Sequence, residues 1–162
     1  MNKKSLYLIL ENIRSIYNVG AIFRTADAVG VDGIYLCGCT PGPIDRFGRT
    51  VDSFKKTALG AENNLNYSHS VDSYSVVKYL QKKGVTIFSI EQDQKSGNLF
   101  ERDFHKYGSS AFVFGNEITG VSEQVLNQSN AIIEIPMCGN KESLNVSVSV
   151  GVVLYQYRFV KI

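Results

Sequence analysis

Short apolar runs separated by longer stretches of mixed polarity dominate this chain. The runs at 6–10, 33–37, 85–90, 111–114 and 131–135 are rich in Leu, Ile, Val, Phe and Tyr, and only the last carries a charge. Such runs predict strands buried on both faces, as in a parallel sheet. Between them the apolar spacing lengthens to the helical period. Val19, Ile22, Phe23, Ala26 and Val29 fall on one helical stripe, with Asn18 placed to cap its start and Gly30 to end it. Residues 71–83 predict a second helix, with Asp72 near its start and Lys82, Lys83 and Gly84 at its end. Strands alternating with helices predict an α/β fold, a mainly parallel sheet flanked by helices.

Two stretches resist this reading. Residues 39–62 form the longest irregular segment, with Pro41, Gly42, Pro43 and Gly48 set among Arg46, Arg49, Lys55 and Lys56. A loop of that length is either functional or a solvated connection, and the pattern alone leaves both open. Residues 145–152 alternate valine with small or polar residues, which by period is a strand. The apolar character then continues unbroken through Val153, Leu154, Tyr155 and Phe159. Pattern alone therefore predicts a strand followed by a helix.

Composition narrows the class. The chain has 162 residues, 44% hydrophobic and 20% charged, ordinary values for one soluble domain spanning 1–162. A net charge of +2 is too small to mark a nucleic-acid binder by itself. Any RNA surface has to come from local clustering, or from two chains joining modest patches. Cys37, Cys39 and Cys138 form no spaced framework, and His69 and His105 stand off finger spacing. Free thiols in a reducing cytoplasm, with no metal, are the expectation. Met1 to Ser5 run straight into the apolar stretch 6–10, too short for a signal segment or a membrane span. No linker, repeat or low-complexity segment is legible.

Three polar constellations sit where ligands bind in α/β proteins, at strand ends. The first is Asn18-Val19-Gly20-Ala21-Ile22-Phe23-Arg24, where Arg24 projects away from the apolar stripe and Gly20 permits a close approach. Taken alone, this is an ordinary amphipathic helix with a solvated arginine. The second is Phe114-Gly115-Asn116-Glu117-Ile118-Thr119-Gly120, directly after a strand. Val121 and Ser122 follow where a phosphate loop needs Lys and Ser/Thr, so by spacing it is a turn into a helix starting near Ser122. The third is Ile135-Pro136-Met137-Cys138-Gly139, then Ser143-Leu144-Asn145-Val146-Ser147. Here Ser143 reads as a helix cap and Asn145 as a partner for local backbone.

The order, contents and placement of these segments resemble the three signature motifs of the TrmH (SpoU) family, RNA 2′-O-ribose methyltransferases of the SPOUT superfamily. Asn18, Gly20 and Arg24 resemble the first motif, and Gly115, Glu117 and Gly120 the second. Ile135-Pro136-Met137 with Ser143-Leu144-Asn145-Val146-Ser147 resembles the third. Lys56-Thr57-Ala58-Leu59-Gly60-Ala61-Glu62 is similar to a further segment common in the family. The resemblance spans nearly the whole chain. It implies a C-terminal deep trefoil knot, which no pattern rule would give. It also implies a helix after Ser143 rather than a strand, packed closely through Ser147, Ser149 and Gly151 in a homodimer. The methyl donor would be S-adenosyl-L-methionine and the substrate tRNA or rRNA, with neither DNA nor membrane expected. Compact members of the family include enzymes of the tRNA wobble nucleotide, which tilts the expectation towards tRNA.

Carried over by position, the resemblance implies cofactor contacts at Ile90, Gly115, Ile135, Met137, Ser143 and Leu144. It makes Arg24 the central catalytic residue, with Asn18, Glu117, Ser143 and Asn145 orienting it and the ribose. Free arginine is a very poor base. Its expected work is to grip a phosphate and the 2′-OH, stabilising the developing alkoxide. RNA contacts are expected at Arg24, Arg46, Arg49, Lys55 and Lys56, with Arg14 a further candidate. Two other readings stand beside this one. The first is a SPOUT-like module that binds RNA without methylating it. The second is a different α/β nucleotide enzyme using the glycines near Gly115, which the missing phosphate-loop residues disfavour.

Overall fold

The computed structural model describes residues 4–160; residues 1–3, the start of the amino-terminal run, lie outside that range. The strands are β1 (Leu6–Glu11), β2 (Gly33–Cys37), β3 (Tyr67–Ser70), β4 (Thr86–Ile90), β5 (Gly97–Asn98), β6 (Ser110–Phe114) and β7 (Ala131–Glu134). The helices are α1 (Ile16–Val29), α2 (Asp52–Ala58), α3 (Ser73–Lys82), α4 (Glu123–Gln128) and α5 (Val146–Phe159). All pairings are parallel, in the order β3-β2-β1-β6-β4-β7-β5.

The sheet is a partition between two apolar layers. Successive side chains of a strand point to opposite faces. Phe112 and Phe114 of β6 therefore join Phe23 of α1, Phe54 of α2 and Val150 of α5 in the larger core. Ala111 and Val113 join Val77 of α3 and Val125 of α4 in the smaller one. All five residues of β6 are buried. Each large side chain so buried contributes on the order of 2 kcal/mol, which is why apolar runs and not alternating ones mark the central strands. The two strands missed in the sequence have no such run. β3 is a half-exposed edge strand reading Tyr-Ser-His-Ser, and β5 has two residues.

Helix starts are set by caps. Ser15, not Asn18, caps α1: its hydroxyl accepts the Asn18 N–H at 3.3 Å. Asn18 is then one turn inside, and its side chain is free for other work. Gly30 ends α1 in the left-handed region, with φ of 77°. Asp72 caps α3, which starts at Ser73, leaving Val71 outside it and exposed. The expected strand at 145–152 is not formed. Asn145 caps a continuous helix by accepting the Ser147 N–H at 2.9 Å, so Ser143 is not the cap. The Val/Ser alternation is overruled because Val150, Val153, Leu154 and Gln156 make one buried stripe against the α1 face. Within 39–62, α2 and a turn of tighter helix at Ala61–Asn63 replace part of the expected loop. Gly20 explains how α2 docks: a Cβ there would sit 2.1 Å from Thr57 Oγ1 and 2.7 Å from the Phe54 carbonyl oxygen.

Glu11, the last residue of β1, is buried and pairs with no cation among the described residues. Its carboxylate accepts the Ser122 N–H at 2.8 Å, the Ser122 hydroxyl at 2.7 Å and the Ser73 hydroxyl. It thereby ties the starts of α3 and α4 to the central sheet. Glu11→Ala strands these donors. We expect a loss of about 1–3 kcal/mol in urea unfolding, as for buried polar groups left unsatisfied. A loss below about 0.5 kcal/mol would remove Glu11 from this role.

Candidate active site at the carboxyl edge of the sheet

Because the strands are parallel, the connections leaving them gather at one edge. There the ends of β4, β6 and β7 and the start of α5 enclose a cavity of about 570 Å³. Ile90, Phe114, Ile135, Met137 and Leu144 supply its apolar wall, and Glu91, Ser143 and Asn145 its polar one. Five of the six residues expected to meet a cofactor line it: Ile90, Ile135, Met137, Ser143 and Leu144. Gln92 closes one side by donating from Nε2 to the Glu142 carbonyl at 2.6 Å.

Gly115 does not line the cavity. It lies beneath a tight return of the chain, where an added Cβ would be 2.1 Å from the Gly120 carbonyl carbon and 2.2 Å from the Val121 nitrogen. Asn116 and Gly120 exchange backbone hydrogen bonds of 3.1 and 2.9 Å to close that return. The Asn116 side-chain Oδ1 accepts the N–H groups of Ile118 and Thr119, and its Nδ2 donates to the Asn12 backbone carbonyl at 2.8 Å. Glu91 accepts the Val121 N–H at 2.9 Å. Sequence reasoning missed Asn12, Asn116, Glu11 and Glu91. The one available signal was that Glu11, Asn12 and Glu91 fall directly at strand ends.

Glu117 leads out of the cavity to α1. Its carboxylate accepts the N–H of Arg14 at 3.3 Å, the N–H of Ser15 at 3.4 Å and Nδ2 of Asn18 at 3.3 Å. Asn18 Oδ1 in turn accepts Nδ2 of Asn145 at 3.2 Å. Partial burial pushes the Glu117 carboxyl up. The hydrogen bonds, from its own N–H and then from Arg14, Asn18 and Ser15, outweigh burial and hold it below the usual carboxylate range. Glu117 is therefore an anion at neutral pH, and an acceptor only. The stabilisation it gives is present above the ordinary carboxylate range and is lost as pH falls through its lowered value.

The expected site thus divides. Asn18, Glu117 and Asn145 are hydrogen-bonded together, and Ser143 shares the cavity with Glu117 and Asn145. Arg24 lies elsewhere. It is exposed on α1 and borders a separate depression of about 460 Å³ with Lys56, Thr57 and Tyr155. Lys55 and Arg14 are also exposed. Arg49 is paired with Asp45 at 2.8 Å, so it is not a free cation. Cys39 and Cys138 are exposed, while burial first, then Glu11 and Asp72, push the Cys37 thiol up to about 12. That thiol is inert at neutral pH.

The Gly115 contact generates a direct test. Gly115→Ala should lose about 1–3 kcal/mol, because the obstructing atoms are backbone and cannot swing aside. Gly139→Ala, with nothing within 4 Å of its added Cβ, should stay within about 0.5 kcal/mol of the parent. Equal melting temperatures for the two variants would contradict the close approach.

Residues 5–155 match the SpoU rRNA Methylase family. The tRNA (guanosine(18)-2′-O)-methyltransferase of Thermus thermophilus is 32% identical over 151 residues, covering 93% of this chain and 73% of that protein. An AdoMet-bound rRNA methyltransferase from Sinorhizobium meliloti superposes with a TM-score of 0.86 at 24% identity, over 97% of this chain and 57% of that one. At that identity the likeness concerns the fold. A structure solved for the 2-OH methylation of C/U34 on tRNA gives a TM-score of 0.76 at 25% identity, over 95% of this chain and 94% of the other. With a family match across almost its full length and the sheet, cavity and motif residues described above, the chain belongs to the SpoU methylase family.

Proposed function

We propose that this protein transfers a methyl group from S-adenosyl-L-methionine to a ribose 2′-OH of RNA, with the cavity between β4, β6, β7 and α5 as the cofactor site. The observation that carries this reading is the lining of that cavity. Ile90, Ile135, Met137, Ser143 and Leu144, assigned to the cofactor through the family resemblance, converge there from three separate segments. A volume of about 570 Å³ suits a nucleoside-sized ligand, and the lining mixes apolar side chains with as many polar ones, as a ligand with both rings and polar edges requires. Ile90, Ile135, Met137 and Leu144 would hold the rings, and Ser143 a polar edge. When bound, S-adenosyl-L-methionine supplies an electrophilic methyl group on a positively charged sulfur. Gly115 serves this site indirectly, by permitting the 115–121 return that forms its floor.

The remaining work falls to the chain's own side chains. Glu117, ionised, accepts from the Asn18 amide, which leaves Asn18 Oδ1 facing Asn145. This fixed sequence of donors orients the ribose beside the cavity. Arg24 grips the phosphate next to the target and stabilises the alkoxide as the 2′-OH loses its proton. Alignment of this kind supplies several kcal/mol of the barrier reduction.

Arg24 stands apart from the cavity of its own chain, and a homodimer accounts for that. Val148, Val152, Tyr155 and Phe159 repeat at helical spacing along α5, and Val148, Tyr155 and Phe159 are half or more exposed. Tyr17 of α1 is exposed as well. A second copy covering this stripe would meet the Arg24 depression, which Tyr155 borders, and bring the arginine to a composite site. We also read a deep trefoil knot in the C-terminal part. The insertion of β7 between β4 and β5, and the return of residues 135–145 along the carboxyl edge to α5, support it. The likeness to the tRNA methyltransferase of Thermus thermophilus and to the structure solved for C/U34 methylation on tRNA supports tRNA as substrate.

Arg24→Ala should lower turnover about 100-fold or more while cofactor affinity in calorimetric titration stays within about twofold. Arg24→Lys should also be poor, because the planar fork is lost. Wild-type rates in either variant would take Arg24 out of the mechanism. Tyr155→Glu should shift the protein to monomers in sedimentation and abolish methyl transfer with the fold intact. A fully active monomer would sink the composite site.

A further inference from the structure

The segment between β2 and α2 builds a rigid hairpin whose tip does nothing for the fold. Ile44 and Thr50 pair across its base, and the Asp45 N–H donates to the Arg49 carbonyl at 2.9 Å. The Asp45 carboxylate accepts the N–H groups of Phe47 at 2.8 Å and Arg49 at 2.9 Å, and also Nε of Arg49 at 2.8 Å. Gly48 turns the chain with φ of 78°. At the tip, Phe47 is 65% exposed and belongs to neither core. Its ring carries two guanidinium groups, with Arg46 at 4.7 Å and Arg49 at 5.0 Å from the centroid.

We infer that Phe47 is a stacking platform for an unpaired base of the substrate RNA, with Arg46 holding the adjoining phosphate. Three observations lead there. The ring is held out into water by a network that fixes its backbone, so little ordering entropy remains to be lost on binding. The two arginines differ in freedom. Arg49 is locked to Asp45, whereas Arg46 makes no side-chain hydrogen bond or ion pair among the described residues. Arg46 can therefore leave the ring for a phosphate while Arg49 stays. The hairpin also feeds directly into α2, whose exposed Lys55 and Lys56 follow, and Lys56 borders the Arg24 depression. An aromatic ring set at the head of a cationic track is the arrangement that holds single-stranded RNA, where bases stack and phosphates pair. A protein partner would find the same ring flanked by charges that cost energy to desolvate.

This inference rests on the RNA methyltransferase reading, and one assay separates their failures. Methyl transfer to total RNA from a strain lacking the protein is measured across a salt series, with cofactor affinity measured separately. Phe47→Ala should raise the apparent KM for RNA about tenfold, leaving kcat, cofactor affinity, melting temperature and salt slope unchanged. Phe47→Trp should restore the parent KM. Arg46→Ala should lower the salt slope by about one phosphate contact. 5-Iodouridine-substituted RNA should photocrosslink to Phe47. An unchanged KM in Phe47→Ala, or a raised KM that Phe47→Trp does not restore, overturns the stacking role while leaving the enzyme reading intact. A wild-type protein that methylates no RNA overturns both.

Discussion

Three carboxylates at the ends of three neighbouring strands hold the functional edge of this protein together. β1, β6 and β4 lie side by side in the sheet; Glu11 ends β1, Glu91 follows β4 directly, and Glu117 lies in the return that follows β6. Parallel strands deliver their connections to one edge, where loop N–H groups and helix starts gather without ladder partners. Each glutamate accepts from such groups. Glu11 takes Ser122 and Ser73, Glu91 takes Val121, and Glu117 takes Arg14 and Ser15. A carboxyl group offers two oxygens to several donors at once, and among the described residues the donors here are backbone N–H, hydroxyl and amide groups. Glu91 and Glu117 also line the cavity, so their bonds hold the loops that border it.

From that frame the chemistry gains its order. Glu117 orients Asn18, and Asn18 orients Asn145, so the start of α1 and the start of α5 are fixed relative to the cavity. Ser15 capping α1 is what makes this available, since a capping Asn18 would have spent its side chain on the backbone. Arg24 lies further along α1, on the side that faces away from the cavity and towards the exposed stripe of α5. The proposed second copy turns that separation into a composite site, so the apolar stripe and the arginine proposed as catalytic become parts of one design.

The sheet was legible in the sequence wherever a strand is buried on both faces. Runs such as Ser110–Phe114 have no alternative burial. β3 and β5 were not, because an edge strand of Tyr-Ser-His-Ser and a two-residue strand bury too little to leave a pattern. At the C-terminus the periodicity argument found the helix of residues 153–159 and misread 145–152 as a strand. Alternating valines satisfy a two-residue period, and only the Asn145 cap and packing against α1 decide the matter. Family resemblance corrected that segment where physics read locally could not. The cofactor positions read from the motifs share a cavity, Gly115 excepted, because motif order reflects strand ends and strand ends share an edge. Asn12, Asn116 and the glutamates other than Glu117 stayed invisible. Their roles depend on contacts such as Asn116 to Asn12 and Glu11 to Ser122, across more than a hundred residues of sequence.

The central claim is that the cavity of β4, β6, β7 and α5 holds S-adenosyl-L-methionine. Titration of methyl-labelled protein with that compound, followed by NMR, addresses it most directly. Saturable shifts are expected at the methyl groups of Ile90, Ile135, Met137 and Leu144, while Leu126 and Ile132, which border a different depression with Lys95 and Arg102, stay unmoved. Shifts confined to Leu126 and Ile132, or none at all at saturating concentration, would contradict it.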